Sequence, residues 1–161
     1  MKNYTYKRFK ENKLYSEGLR SSYMLINHTE QLKENNQIID DYVGPTISMF
    51  DIILMGGTGS EKMQISACST YFKEALNNFQ ETNYGNIEIR TKGILVHLNN
   101  GRLYHVWCVP FYRLAIYQTD KLSIHGEGQV IKFHLKKNQN KSFIKKLIRH
   151  KASFTADHFP S

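Results

Sequence analysis

The chain has 161 residues, 40% of them hydrophobic and 22% charged, a composition and length suited to one folded domain with an elaboration. No apolar run approaches the ~20 residues that cross a bilayer, no stretch is low-complexity or repeated, and the polar, basic start has no apolar signal-peptide core. The formal net charge is +8, unevenly spread: residues 1–40 carry +2, 41–90 carry −3, 91–127 carry +2 and 128–161 carry +7.

Residues 1–57 read as an N-terminal extension, partly helical. Leu14, Tyr15, Leu19, Tyr23, Leu25 and Ile26 fall at helical spacing, the stretch Gln31 to Gln37 is polar, and Pro45 breaks the pattern after Asp40, Asp41 and Gly44. Ile47 to Met55 (ISMFDIILM) is mostly apolar, with Asp51 inside, and fits a buried helix or a core strand. Gly56-Gly57-Thr58-Gly59-Ser60 is a breaker and marks a boundary, read as a flexible connector. It lacks the Gly-Lys-Ser/Thr of a phosphate loop.

A domain is expected over 58–154. Lys62 to Phe72 is compatible with a strand, running into helical turns at Tyr71 to Phe79; a full helix from Ser69 to Gln80 is the competing reading. Strands are expected next at Asn86 to Arg90, Gly93 to Leu98 and Leu103 to Val109. Asn100-Gly101 is a strong hairpin signal because both residues tolerate positive φ. A two-residue loop there sets Leu98 opposite Leu103, Val96 opposite His105 and Ile94 opposite Trp107. Ile94, Val96, Leu98 and Trp107 then share one face, with Leu95, His97, Tyr104 and Val106 on the other. Apolar residues on both faces place this hairpin mid-sheet. Pro110 ends or bulges its strand. Three more strands are expected at Arg113 to Gln118, Lys121 to His125 and Gln129 to Leu135. Ser142 then caps a helix whose stripe Phe143, Ile144, Leu147 and Ile148 faces the sheet. Residues 155–161 read as a loose tail.

No reactive centre stands out. Cys68 and Cys108 form no CxxC pair, and two buried or half-buried thiols of a reducing compartment are expected. The seven histidines show no metal-ligand spacing. His97 and His105 are expected on opposite faces, and only His125 and His134, on neighbouring strands, suggest an approach. Asp40-Asp41 reads as a solvated loop pair, and no G-x-S-x-G elbow occurs. Trp107, Phe111, Tyr112, Tyr104 and Tyr117 form an aromatic band, read first as packing and second as a platform for stacked nucleic-acid bases.

The stretches Gly85-Asn86-Ile87-Glu88-Ile89, Thr91-Lys92-Gly93-Ile94-Leu95-Val96, Val109-Pro110-Phe111-Tyr112-Arg113-Leu114, Leu122-Ser123-Ile124-His125, Val130-Ile131-Lys132-Phe133 and Ser142 to Ile148 together resemble the pleckstrin-homology-like superfold, and within it bacterial PH and GRAM-type domains, over residues 62–150. The resemblance implies an α+β, mostly β fold. Its features are a strongly bent antiparallel sheet, or partly open barrel, of seven strands, a closing C-terminal amphipathic helix and an N-terminal partly helical extension. It also implies binding rather than catalysis, of lipid headgroups in some members and proteins in others. Lipid-binding members place their cations in the first strand–loop–strand. Here that region holds only Lys62, Lys73 and Arg90.

The cations lie instead at Lys132, Lys136, Lys137, Lys141, Lys145, Lys146, Arg149 and Lys151, with no acid between Glu127 and Asp157. The expected function is a non-enzymatic, cofactor-free binding module. Its basic C-terminal face would contact a protein partner or an anionic membrane surface, with the chain cytoplasmic and peripheral at the membrane. Nucleic-acid binding through the basic helix and aromatic band is the alternative, and a small enzyme built on His125 and His134 the second alternative.

Overall fold

The computed structural model describes residues 24–27, 32–73, 75–76, 82–100 and 104–159. It is α+β and mostly strand: one open antiparallel sheet of eight strands with a C-terminal helix. The strands are β1 (Met24–Asn27), β2 (Met63–Cys68), β3 (Tyr84–Ile89), β4 (Gly93–Asn99), β5 (Tyr104–Pro110), β6 (Leu114–Gln118), β7 (Lys121–Gly126) and β8 (Gln129–His134). The helices are α1 (Leu32–Val43), α2 (Met49–Met55) and α3 (Lys141–His158). The spatial order is β1-β5-β4-β3-β2-β8-β7-β6.

Two local meanders, β3-β4-β5 and β6-β7-β8, are joined by β2. Its first residues pair with β3 (Met63↔Gly85, Gln64↔Tyr84) and its last with β8 (Ile65↔Phe133, Ala67↔Lys132, Cys68↔Ile131). The register slips between Ile65 and Ala67, and a bulge there bends the strand from one half to the other. The inner faces of both halves then share one core with Trp107, Val109, Ile124, Phe133 and the α3 residues Phe143, Ile144 and Leu147. The halves meet closely at Gly126, where a Cβ would lie 2.6 Å from a methyl of Val109, so a side chain at this position would collide with β5.

The hairpin faces are as the alternation predicts, but the register is not. Val96 lies opposite Trp107 and Ile94 opposite Val109, so the residues between the last pair, Asn99↔Tyr104, span 100–103 rather than two positions. A slip of two keeps every side chain on its face, because the strand period is two. The mid-sheet placement is also found: β1 covers the outer edge of β5, and Leu95, Val106 and Cys108 on the outer face are buried under Ile39 and Val43 of α1.

The N-terminal segment differs from its expectation. Leu25 and Ile26 belong to a strand rather than a helix, since they pair with Trp107 and Val106; Leu14, Tyr15, Leu19 and Tyr23 lie outside the described residues. The polar stretch after them is α1, whose Ile39 and Val43 recur at a helical interval that suffices to dock one side. Ile47 to Met55 yields a helix that buries none of its own residues. The glycine breaker is no loose connector. Residues 58–60 run beside β3, with Ile89 N donating to Thr58 O (2.9 Å), Ser60 N to Ile87 O (2.8 Å) and Ile87 N to Ser60 Oγ (2.8 Å). Beyond β2 the described residues form a 3₁₀ turn, Thr70–Phe72, and bury Phe72, Ala75 and Leu76; Asn77 to Gln80 lie outside the described residues.

α3 begins at Lys141, not after a Ser142 cap, and it continues to His158, past the point where a loose tail was expected. The residue before it, Asn140, is left-handed (φ 56°) and makes no side-chain cap bond. Its buried amide instead grips residue 61: Oδ1 accepts from Glu61 N (2.7 Å) and Nδ2 donates to Glu61 O (3.3 Å).

Candidate anionic-surface interface

The eight predicted cations do not form one patch. Along α3 each residue advances roughly 100°, and the buried Phe143, Ile144 and Leu147 define the core side. Lys141, Lys145 and Arg149 follow one another at four-residue steps on the opposite side and are exposed, a single stripe facing solvent. Lys146 is turned away from them and half-buried: its Nζ donates to Gly57 O (2.6 Å) and Gly56 O (3.3 Å) at the end of α2. There it satisfies terminal carbonyls and complements the helix dipole. Lys151 lies toward the core side, lining a shallow groove with Phe111, Tyr112, Thr155 and Phe159. Lys132 projects from the outer face of β8, opposite the inward Ile131 and Phe133. Lys136 and Lys137 are exposed in the turn before α3, which is tied down where Gln139 Nε2 donates to Lys62 O (3.1 Å).

His125 and His134 are not brought together. They share the outer face of β7 and β8, but His125 stands opposite Val130 and His134 opposite Lys121. Four residues of strand separate them, about 13 Å. His125 packs edge-on against Tyr117, 5.0 Å between ring centres. Among the described residues no three of His, Cys, Asp and Glu gather as a metal-binding group. Burial pushes the Cys108 thiol up to about 12 and the Cys68 thiol up to about 11, so neither is a thiolate at neutral pH. The aromatic band disperses. Trp107 and Phe111 are core residues, Tyr104 is half-buried on the outer face, and Tyr112 and Tyr117 are exposed.

Three features were not legible as sites. One is a chain of polar groups across β3, β4 and β5. Arg90, buried, binds Asp40 of α1 through Nη2, Glu88 (3.1 Å) and Thr46 Oγ1 (2.6 Å) through Nη1, and Gly44 O (3.2 Å) through Nε. Glu88 also meets His97 Nε2 (3.0 Å), and His97 Nδ1 hydrogen-bonds the Tyr104 hydroxyl. Burial alone would raise the Glu88 carboxyl, but the hydrogen bond and charge of His97 and those of Arg90 outweigh it, leaving it below the ordinary carboxylate value. Burial, then the charge of Glu88, keeps Tyr104 protonated by raising its pKa. The Arg90 end of the chain is spent on α1 and the loop after it, so it works as a latch.

A second feature is Glu127, at the β7–β8 turn with φ 52°. One oxygen of its buried carboxylate, Oε1, accepts from Tyr42 Oη (2.6 Å) and Arg113 Nη1 (2.7 Å), tying α1 and the 3₁₀ turn Phe111–Arg113 to this end of the sheet. The third is α2, whose Met49, Phe50, Ile53 and Leu54 are between 69% and 73% exposed.

Comparison with family models, with curated proteins and with solved structures found no match. The function therefore rests on the geometry of this chain alone. Among the described residues no helix is long and apolar enough to cross a membrane.

Proposed function

We propose that the chain is a non-enzymatic binding module of PH/GRAM-like type that attaches peripherally to an anionic membrane surface through Lys141, Lys145 and Arg149. The observation that carries this reading is the stripe itself: three cations at successive turns of one helix, all facing solvent, in a segment free of acids from residue 128 to 156. A flat, fluid negative surface suits cations spaced along a straight helix, because headgroups rearrange to meet them. The PH-like reading is supported by the topology. With β1 set aside, four strands (β5-β4-β3-β2) meet three (β8-β7-β6) across a bulged β2, and α3 packs on the shared core. Fold likeness alone gives no ligand, and the position of the stripe differs from that of lipid-binding relatives, so the partner is argued from charge.

Co-sedimentation of the full chain with vesicles tests it. Binding is expected to vesicles containing phosphatidylserine, not to neutral ones, and to weaken with salt. Replacing all three cations by Gln is expected to cost about 3 kcal/mol, or roughly a hundredfold in affinity. Equal binding to neutral vesicles, or no effect of the triple change, overturns the reading. Selective capture of an acidic protein or of nucleic acid, with no vesicle binding, would replace it by one of the alternatives.

A further inference from the structure

The segment Ser48 to Gly57 is built to hold a short apolar helix in place. Ser48 caps its start, Oγ accepting from Asp51 N (3.2 Å) and donating to Asp51 Oδ2 (2.6 Å). Gly56, left-handed at φ 68°, stops it, with its N–H and that of Gly57 returning to Ile53 O and Ile52 O. Lys146 of α3 holds the carbonyls of both glycines. Ile52 and Met55 pack on the main core. The four other apolar side chains, Met49, Phe50, Ile53 and Leu54, form one ridge on the far side. The acid, Asp51, sits roughly a third of a turn from the middle of that ridge.

Single exposed apolar residues are ordinary, but four large ones on one face of a helix fixed at both ends mark a contact surface. A helix of seven residues offers far less than the ~800 Å² per partner that a stable protein interface needs. Pairing two copies through this ridge would also bring the basic stripes of their α3 helices toward each other. A bilayer needs no matching surface. It takes apolar side chains below the headgroups while neighbouring cations meet anionic lipid, and the Lys146 bonds place α2 directly beside the helix that carries Lys145 and Arg149.

Resting on the membrane reading above, we infer that α2 is an insertion wedge: Met49, Phe50, Ile53 and Leu54 enter the acyl region of an anionic bilayer while the α3 stripe holds the headgroups. The wedge supplies the salt-resistant part of the binding, and the stripe the salt-sensitive part.

The test uses the full chain, phosphatidylserine-containing vesicles and two variants, Phe50→Ser/Ile53→Ser and Phe50→Trp. The first is expected to bind about tenfold more weakly and to lose the binding that wild type retains at high salt. Its melting temperature should stay unchanged, because both side chains are exposed. The second places an indole on the ridge, distinct from the buried Trp107. Its fluorescence is expected to shift to the blue and to be quenched by lipids brominated on their acyl chains. Undiminished binding by the double-Ser variant together with an unquenched indole overturns the wedge and leaves the membrane reading standing. No binding of wild type to these vesicles overturns both. A dimer in sedimentation equilibrium that Phe50→Ser/Ile53→Ser abolishes would give the ridge to a second copy and overturn the wedge.

Discussion

α1 and α2 follow one another in the chain, and both pack against the same sheet, yet they complete themselves in opposite ways. α1 is poor in apolar residues, yet two of them, Ile39 and Val43, lie under 3% exposed against Leu95, Val106 and Cys108. Its Asp40 is bound by Arg90, and Tyr42 reaches Glu127. α2 is apolar in six of seven positions and leaves four of its large side chains in water. Hydrophobic content therefore does not decide which helix is a structural layer. What decides is whether a sheet face and a polar latch are waiting for it. α1 has both; α2 has only Ile52 and Met55 on the core and Lys146 at its end.

The comparison is broken most directly at Arg90. Replacing it with Ala should cost about 3 kcal/mol in denaturant unfolding, the low end for removing one partner of a buried ion pair because Asp40 keeps contact with water. A cost near zero would mean that α1 is held by its apolar contacts alone. A smaller effect is expected from Glu88→Gln, about 1.5 kcal/mol at neutral pH, since it weakens charge-assisted bonds to Arg90 and His97. The Glu88 carboxyl has a depressed pKa in the folded protein. Its contribution is thus complete above the ordinary Glu value of about 4.3 and is lost as the pH falls through the lower folded value. The stability gap between wild type and Glu88→Gln should shrink on acidification over that range, and a gap that does not change with pH would rule out the latch as an ionic one. Both proteins should already have begun to lose stability below about pH 6.5, because burial lowers the His105 pKa and protonating its ring then opposes folding. Smallest is Lys146→Ala, expected to cost about 0.5–1 kcal/mol through the uncapped carbonyls of Gly56 and Gly57. If hydrogen exchange in α2 does not speed up in that variant, Lys146 is not what fixes the helix.

The strand-rich part was legible because its signals are local. Alternation and turn residues placed six of the eight strands, from β3 to β8, within a residue or two, and the stripe Phe143, Ile144, Leu147 located α3. The hairpin register was missed by two because turn identity, not alternation, sets it, and a slip of two leaves the pattern of faces unchanged. The latch was invisible for another reason. Asp40 lies 50 positions from Arg90 and only the docking of α1 brings it into reach, while the pairing of β3 with β4 sets His97 beside Glu88. The basic cluster was seen as a count, but the three-residue stripe depended on knowing that Lys146 turns toward α2 and Lys151 toward the groove. At α2 the sequence left helix and strand open and assumed burial for either. Apolar composition measures a preference for leaving water and does not reveal whether a covering surface exists.

The strand that joins the two halves has a kinetic consequence. β3-β4-β5 and β6-β7-β8 are each stitched by turns, so their pairings form between near neighbours in the chain. The rungs Ile65↔Phe133 and Cys68↔Ile131 instead join residues about 65 positions apart. Closing that loop costs chain entropy before any contact repays it. β2 is thus a slow zipper of this molecule, together with the β1–β5 edge whose partners lie about 80 positions apart, and until the second half of β2 finds β8 the two meanders have open edges.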